Sequence, residues 1–252
     1  RDKSFVMRYR LVEDAYAVST AGDAAIKAAG GTTRSVGLTP SLPQQAVSRG
    51  GVGRAASTVE EKSVVTGKLK ANEKLFQAAV FFENGFRHDF AGKTGLAIDA
   101  YTKAIEFNPQ FAYAYNNRGL AYGEKGRFED ALKDFNKAIS LKGDFAFAYN
   151  NRGLVYVDTA QYALAIEDYN KAITLHPKDA DTFNNRGIAW FNKNEFGKAL
   201  VDFDKAIELN PNGAFAYNNR GNAYKGLMKH DKAIADFNKA IELKPLNPTA
   251  YT

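Results

Sequence analysis

The chain has 252 residues and no cysteine, which excludes a disulfide framework and a thiolate metal site. Its 45% hydrophobic and 25% charged residues are those of a folded protein rather than a disordered or fibrous one, and no apolar run approaches the roughly 18–20 residues that cross a bilayer. The formal charge of +6 is uneven: residues 1–77 carry 12 Lys and Arg against 7 Asp and Glu, residues 78–252 carry 22 against 21. The larger part is therefore nearly neutral and has no broad phosphate-binding surface, so no nucleic acid partner is expected.

The chain begins at Arg1 rather than Met, which reads as a processed or partial product. Residues 1–29 predict an amphipathic helix with a tail, because Phe5, Tyr9, Val12 and Tyr16 recur at helical spacing with Arg8, Arg10, Glu13 and Asp14 between them. So short a helix is marginal alone; it packs either on the rest of this chain or on a partner. Residues 30–57 read as a linker arm with Gly, Ser, Thr and two prolines, Pro40 and Pro43. No acid occurs from Ala24 to Val59, whereas Lys27, Arg34, Arg49 and Arg54 are basic. Such a stretch fits a tether or a wrapping arm. Ser57-Thr58-Val59-Glu60 has capping-box form and predicts a helix starting near Thr58. Residues 58–77 are expected to form a capping helix that leads into the array.

From residue 78 the chain is periodic. Asn-Asn-Arg-Gly begins at Asn116, Asn150, Asn184 and Asn218, and Lys-Ala-Ile begins at Lys103, Lys137, Lys171, Lys205 and Lys239, every copy 34 residues from the next. The units are 78–111, 112–145, 146–179, 180–213 and 214–247. Each predicts two helices, with a break near Lys125-Gly126 and its equivalents. The second helix ends before Pro109, Gly143, Pro177, Pro211 or Pro245. Pro248-Thr249-Ala250-Tyr251 begins a sixth copy in residues 248–252. Terminal repeats need a cap, so further sequence or a partner is expected over this end.

This pattern resembles the tetratricopeptide repeat, a helix–turn–helix unit of the same length. The residues that carry the resemblance are Tyr115, Gly119, Tyr122, Ala131, Phe135 and Ala138 in unit two. They recur as Tyr149, Gly153, Tyr156, Ala165, Tyr169 and Ala172, as Phe183, Gly187, Trp190, Ala199, Phe203 and Ala206, and as Tyr217, Gly221, Tyr224, Ala233, Phe237 and Ala240. The resemblance implies an all-α, right-handed α-solenoid, here preceded by an N-terminal helix and an extended arm. The chain departs from the family where Arg118, Arg152, Arg186 and Arg220 replace a large aliphatic residue. Asp134, Asp168, Asp202 and Asp236 stand sixteen residues after them, and unit one lacks both partners, having Asn84 and Ala100. Either each Arg–Asp pair ties two helices together or the arginines are solvated.

The resemblance also implies a concave groove lined by the first helix of each unit. Its polar row would be Asn116, Asn150, Asn184 and Asn218, with Tyr113, Leu120, Phe147, Leu154, Val157, Ile188, Phe191 and Phe215 between them. An amide both donates and accepts, so this row could hold the backbone of a peptide. The neighbouring row, Asn117, Asn151, Asn185 and Asn219, is expected to bond between repeats. The groove lacks the Lys and Arg with which some relatives clamp acidic chaperone tails.

Catalytic signals are weak. His88 and His230 replace Tyr or Phe of other units, His176 precedes Pro177, and no histidines have metal-ligand spacing. The reading is a non-enzymatic scaffold that binds other proteins, without cofactor or metal. It would be a subunit of a larger intracellular complex, organellar or ciliary, anchored by its arm or with the arm threading its own groove. A transient assembly chaperone and an RNA-binding helical repeat are the alternatives.

Overall fold

A computed structural model describes the backbone of residues 59–243 and the side chains from Ala71 on. The helix of residues 1–29, the arm of residues 30–57 and residues 248–252 lie outside the described residues. Ten helices succeed one another, without a strand among the described residues. They are α1 (Val59–Phe90), α2 (Thr94–Phe107), α3 (Ala112–Glu124), α4 (Phe128–Leu141), α5 (Ala146–Asp158), α6 (Tyr162–Leu175), α7 (Ala180–Asn192), α8 (Phe196–Leu209), α9 (Ala214–Gly226) and α10 (His230–Leu243). Odd-numbered helices are the first helix of a unit and even-numbered helices the second. No helix among the described residues is long and apolar enough to cross a membrane.

The boundaries arise from local chemistry. Each first helix ends in a residue with positive φ: Gly92, Gly126, Ala160, Asn194 and Met228, at 57–72°. The next N–H bonds five residues back, as Arg127 does to the Tyr122 carbonyl at 2.9 Å and Gln161 to that of Tyr156 at 2.7 Å. This 6→1 bond satisfies a carbonyl that the helix end leaves open. The second helices stop at Asn108, Lys142, His176 and Asn210, whose extended backbones each still donate to an alanine four residues back. The Pro after three of them disfavours helical backbone at the residue before it.

Each unit closes around an aromatic ring. Tyr101, Phe135, Tyr169 and Phe203 are buried to 1% exposure or less between the alanines of their own helix and the glycine of the facing one. The approach leaves no room for a side chain: a Cβ on Gly153 would lie 2.7 Å from the Tyr169 ring, and one on Gly187 would lie 2.6 Å from Phe203. Units stack through small residues. Ala189 packs on Ile166 and Tyr169, Ala223 on Leu200 and Phe203, and Ala216 on Ala206.

The four Arg–Asp pairs are bidentate. Arg152 Nε and Nη2 donate to the two Asp168 oxygens at 2.7 and 2.6 Å. Arg118–Asp134, Arg186–Asp202 and Arg220–Asp236 repeat this at 2.6–2.8 Å. A third contact was not foreseen. Nη1 reaches back to the second helix of the preceding unit: Arg118 to Thr102, Arg152 to Asn136, Arg186 to Asn170 and Arg220 to Asp204. Each guanidinium therefore joins three helices. Burial pushes the Asp168 carboxyl up and the Arg152 bonds hold it down, while those bonds push the guanidinium up. The short bidentate geometry keeps both groups charged at neutral pH.

At the N-terminal end the boundary expected at residue 78 does not interrupt the helix. Residues 59–77 and the first helix of unit one form one uninterrupted α1. Nothing between Lys68 and Asn84 breaks a helix, and a collinear extension cannot fold back over its own helix. Phe76 and Val80 are accordingly exposed. At the other end Ile234 and Ile241 are 57% and 58% exposed, whereas Ile166, the equivalent of Ile234 in unit three, is 6% exposed beneath Ala189.

Candidate functional site

The first helices of successive units touch one another, α1 with α3, α3 with α5, α5 with α7 and α7 with α9, and successive second helices make no comparable contact. The stack is therefore tighter on the side of the odd-numbered helices, which places them on the inner face of the curve.

Both Asn rows lie on the seam between these helices. Asn151 Nδ2 donates to Asn116 Oδ1 at 3.0 Å, Asn185 to Asn150 at 3.1 Å and Asn219 to Asn184 at 2.9 Å. Within unit two Asn116 also donates to Asn117, at 3.0 Å. Unit one has Phe82 in place of the accepting Asn, and there Asn117 meets the Tyr101 hydroxyl at 3.5 Å, which itself donates to Asp89 at 2.7 Å. This corrects the expectation that the row starting at Asn116 faces a ligand. Asn116, Asn150 and Asn184 are buried and serve as acceptors of a ladder between units. The reason is geometric: two adjacent residues on a helix cannot both turn away from a seam that passes between them. Only Asn218, at the last unit, is exposed.

The apolar candidates divide in two. Leu154 and Phe215 are open to solvent at 36% and 49% exposure. Tyr113 is buried, and Leu120, Phe147, Val157, Ile188 and Phe191 are half-buried. Leu120, Val157, Ile188 and Phe191 pack against the aromatic cores of the repeats. Tyr113 and Phe147 belong to a run of ring contacts along the groove's edge: Phe82–Phe111 at 4.9 Å, Phe111–Tyr113 at 6.5 Å, Tyr113–Phe145 at 4.8 Å, Phe145–Phe147 at 6.4 Å and Phe147–His176 at 5.5 Å. Lys142 Nζ lies over the Tyr113 and Phe145 rings and donates to the Tyr113 hydroxyl at 2.7 Å. Of these rings Tyr113 and Phe145 are buried and Phe111 and Phe147 half-buried.

Charge on the inner face comes from residues that the repeat pattern does not mark. Glu124 and Asp158 occupy equivalent places at the ends of α3 and α5, and Asp181 takes the place of Tyr113 and Phe147 at the start of α7. The signal available in the sequence was departure from the repeat: acids at positions that hold rings or amides elsewhere. Asp158 is exposed as a residue, and partial desolvation raises its carboxyl from the ordinary value. Among the described residues no group of three His, Cys, Asp or Glu could hold a metal ion.

Comparison with known proteins gives the same architecture. The tetratricopeptide repeat model matches residues 112–145, 146–179, 180–212 and 214–247, and a second TPR model matches residues 91–126. No curated protein matches the chain. Among solved structures, a MamA crystal structure is 27% identical with a TM-score of 0.58, covering 67% of this chain and 92% of its own. YrrB, described as a TPR protein with an unusual peptide-binding site, is 25% identical with a TM-score of 0.56, covering 75% of this chain and 94% of its own. MamA from Desulfovibrio magneticus RS-1 is 21% identical with a TM-score of 0.60 over 67% of this chain and 95% of its own, a likeness of fold alone. The repeat models cover more than half of the chain, and none of the matches indicates a catalytic family: the chain belongs to the tetratricopeptide repeat family, a fold for protein–protein interaction.

Proposed function

We propose that the array is a scaffold that holds an extended or helical segment of another protein along the inner face of units two to five. The observation that carries this reading is the pair Leu154 and Phe215, large apolar side chains left open on the inner face beside Glu124, Asp158 and Asp181. The segment that fits is apolar with interspersed Lys or Arg. Affinity comes from seating its apolar side chains, since a net hydrogen bond contributes only about 0.5–1.5 kcal/mol and the Asn ladder is already engaged between units. The peptide-binding description of YrrB is consistent with such a use.

Recovery of native partners on immobilised protein tests this. Leu154→Asp and Phe215→Asp should abolish recovery, and Val201→Asp, a change at an exposed apolar residue of α8, should leave it intact. Loss with Val201→Asp and not with the inner-face variants would sink the assignment. Partners recovered in stoichiometric amount indicate a fixed subunit, the reading favoured here; substoichiometric, exchanging partners would favour a transient assembly chaperone.

A further inference from the structure

The end face of unit five repeats, in the open, the surface on which each earlier unit carries its successor. Within the array a unit receives the next one in three ways. A ladder Asn accepts from the next unit's Asn, as Asn184 does from Asn219 at 2.9 Å. A polar residue of the second helix accepts from the next unit's Arg, as Asp204 does from Arg220 at 2.6 Å. Aliphatic residues of the second helix take small residues two turns apart: Ile139 packs in one cluster with Ala148, and Leu132 in one with Val155. Unit five holds this whole set open. Asn218 and Asn238, the next acceptors in the two polar rows, are exposed, and so are Ile234 and Ile241 in the aliphatic places.

The set selects its occupant. It fits a helix that reads small-x-x-Asn-Arg-x-x-small, as Ala216, Asn219, Arg220 and Ala223 do in α9. The free end of a second copy does not offer that pattern. There α1 has Glu83 and Asn84 in the places of the Asn and the Arg, and Arg87 in the place of Ala223. Arg87 and Glu83 form an exposed ion pair at 2.7 Å, and laying it on Ile234 would strip both charges of water. Residues 248–252 match only positions 214–218, ahead of the Asn-Arg pair. We propose that the α10 end face docks the first helix of a tetratricopeptide-type unit from a different protein. The Asn and Arg of that helix donate to Asn218 and Asn238, and its small residues seat on Ile234 and Ile241. The array is then extended in trans and in one direction only, because α1 lacks the matching set. This surface is independent of the inner face.

The absence of cysteine allows a disulfide-capture test in the full chain. The probe is a synthetic peptide of residues 146–179 carrying Val155→Cys, equilibrated with the chain variant Ile234→Cys in a glutathione redox buffer. A second probe of residues 146–213 with the same change guards against a peptide too short to fold. Ile234→Cys should capture probe in preference to Val201→Cys, a variant at an exposed residue of α8. The preference should fall about tenfold when Asn218→Ala and Asn238→Ala are added, as the loss of a bond to a charged group implies. Equal capture at Val201→Cys with both probes, or capture indifferent to the two Asn changes, overturns the proposal. So does an Ile234→Cys homodimer that outcompetes the probes, because the face then pairs with a second copy. Capture only in a chain ending at Leu243 overturns it as well, because residues 244–252 then cover the face.

Discussion

Arg152→Ala should lower stability more than any other single surface-accessible change in unit three. The guanidinium is held by two bonds of 2.6–2.7 Å to Asp168 and one of 2.5 Å to Asn136, with side-chain exposures of 19% for Arg152 and 7% for Asp168. Truncation leaves the Asp168 carboxylate buried without its cation and unties unit three from unit two. Breaking a buried pair costs about 3–5 kcal/mol; with Arg152 still partly open to water, the lower bound of about 3 kcal/mol is expected. At roughly 2–4 °C per kcal/mol for a chain of this size, the melting temperature should fall by about 6–12 °C. The double change Arg152→Leu, Asp168→Ala is the informative control. It removes the stranded charge and restores the aliphatic residue usual in the family, so it should be less destabilised than Arg152→Ala alone. Thermal and urea unfolding followed by circular dichroism measure both, and array proteins need both because their cooperativity can break down along the stack. An unchanged midpoint for Arg152→Ala would refute the buried clamp, and strictly additive losses in the double variant would refute the stranded-charge reasoning.

The same geometry sets four further outcomes. Gly187→Ala places a Cβ 2.6 Å from the Phe203 ring and should cost about 1–3 kcal/mol, whereas Gly197→Ala, with nothing within 4 Å, should be neutral or slightly stabilising in the same unfolding assay. Tyr169→Phe should raise stability by up to about 1 kcal/mol, because this buried hydroxyl has no hydrogen-bond partner among the described residues and the equivalent positions 135 and 203 already hold Phe; a lower unfolding midpoint would contradict that. Ala160→Gly and Met228→Gly relieve left-handed backbone at φ 57° and 59° and should each stabilise by about 0.5–1 kcal/mol. For Asp158, an exposed residue, partial desolvation raises the native carboxyl, so the folded state loses a little stability as pH rises through the carboxylate range, an effect that solvent screening keeps small. Asp158→Asn should therefore be marginally the more stable protein at pH 7, with the difference vanishing as pH falls below about 4.

What was legible in the sequence was what the period repeats. The unit boundaries, the helix stops before Pro and the pairing of Gly153 with Tyr169 all come from residues that recur at fixed offsets. The Arg–Asp clamp was visible because Arg and Asp drop out together in unit one, where Asn84 and Ala100 stand in their places. Its third arm shares the same period but changes chemistry from Thr102 through Asn136 and Asn170 to Asp204, so composition gave no hint of it. The two Asn rows could not be separated, since neighbours on a helix point about 100° apart and only the path of the seam decides which one it takes in. The fused α1 was illegible for a related reason. The line drawn between Gln77 and Ala78 came from the repeat register, and a register does not break a helix.

The most direct test of the scaffold assignment is photo-crosslinking from single benzoylphenylalanine substitutions in the full chain under native conditions. Probes at Leu154 and Phe215 on the inner face should capture partner segments, and a probe at Val201 on α8 should capture none. Capture from Val201 with none from Leu154 and Phe215 would contradict the account, because recognition would then lie outside the groove.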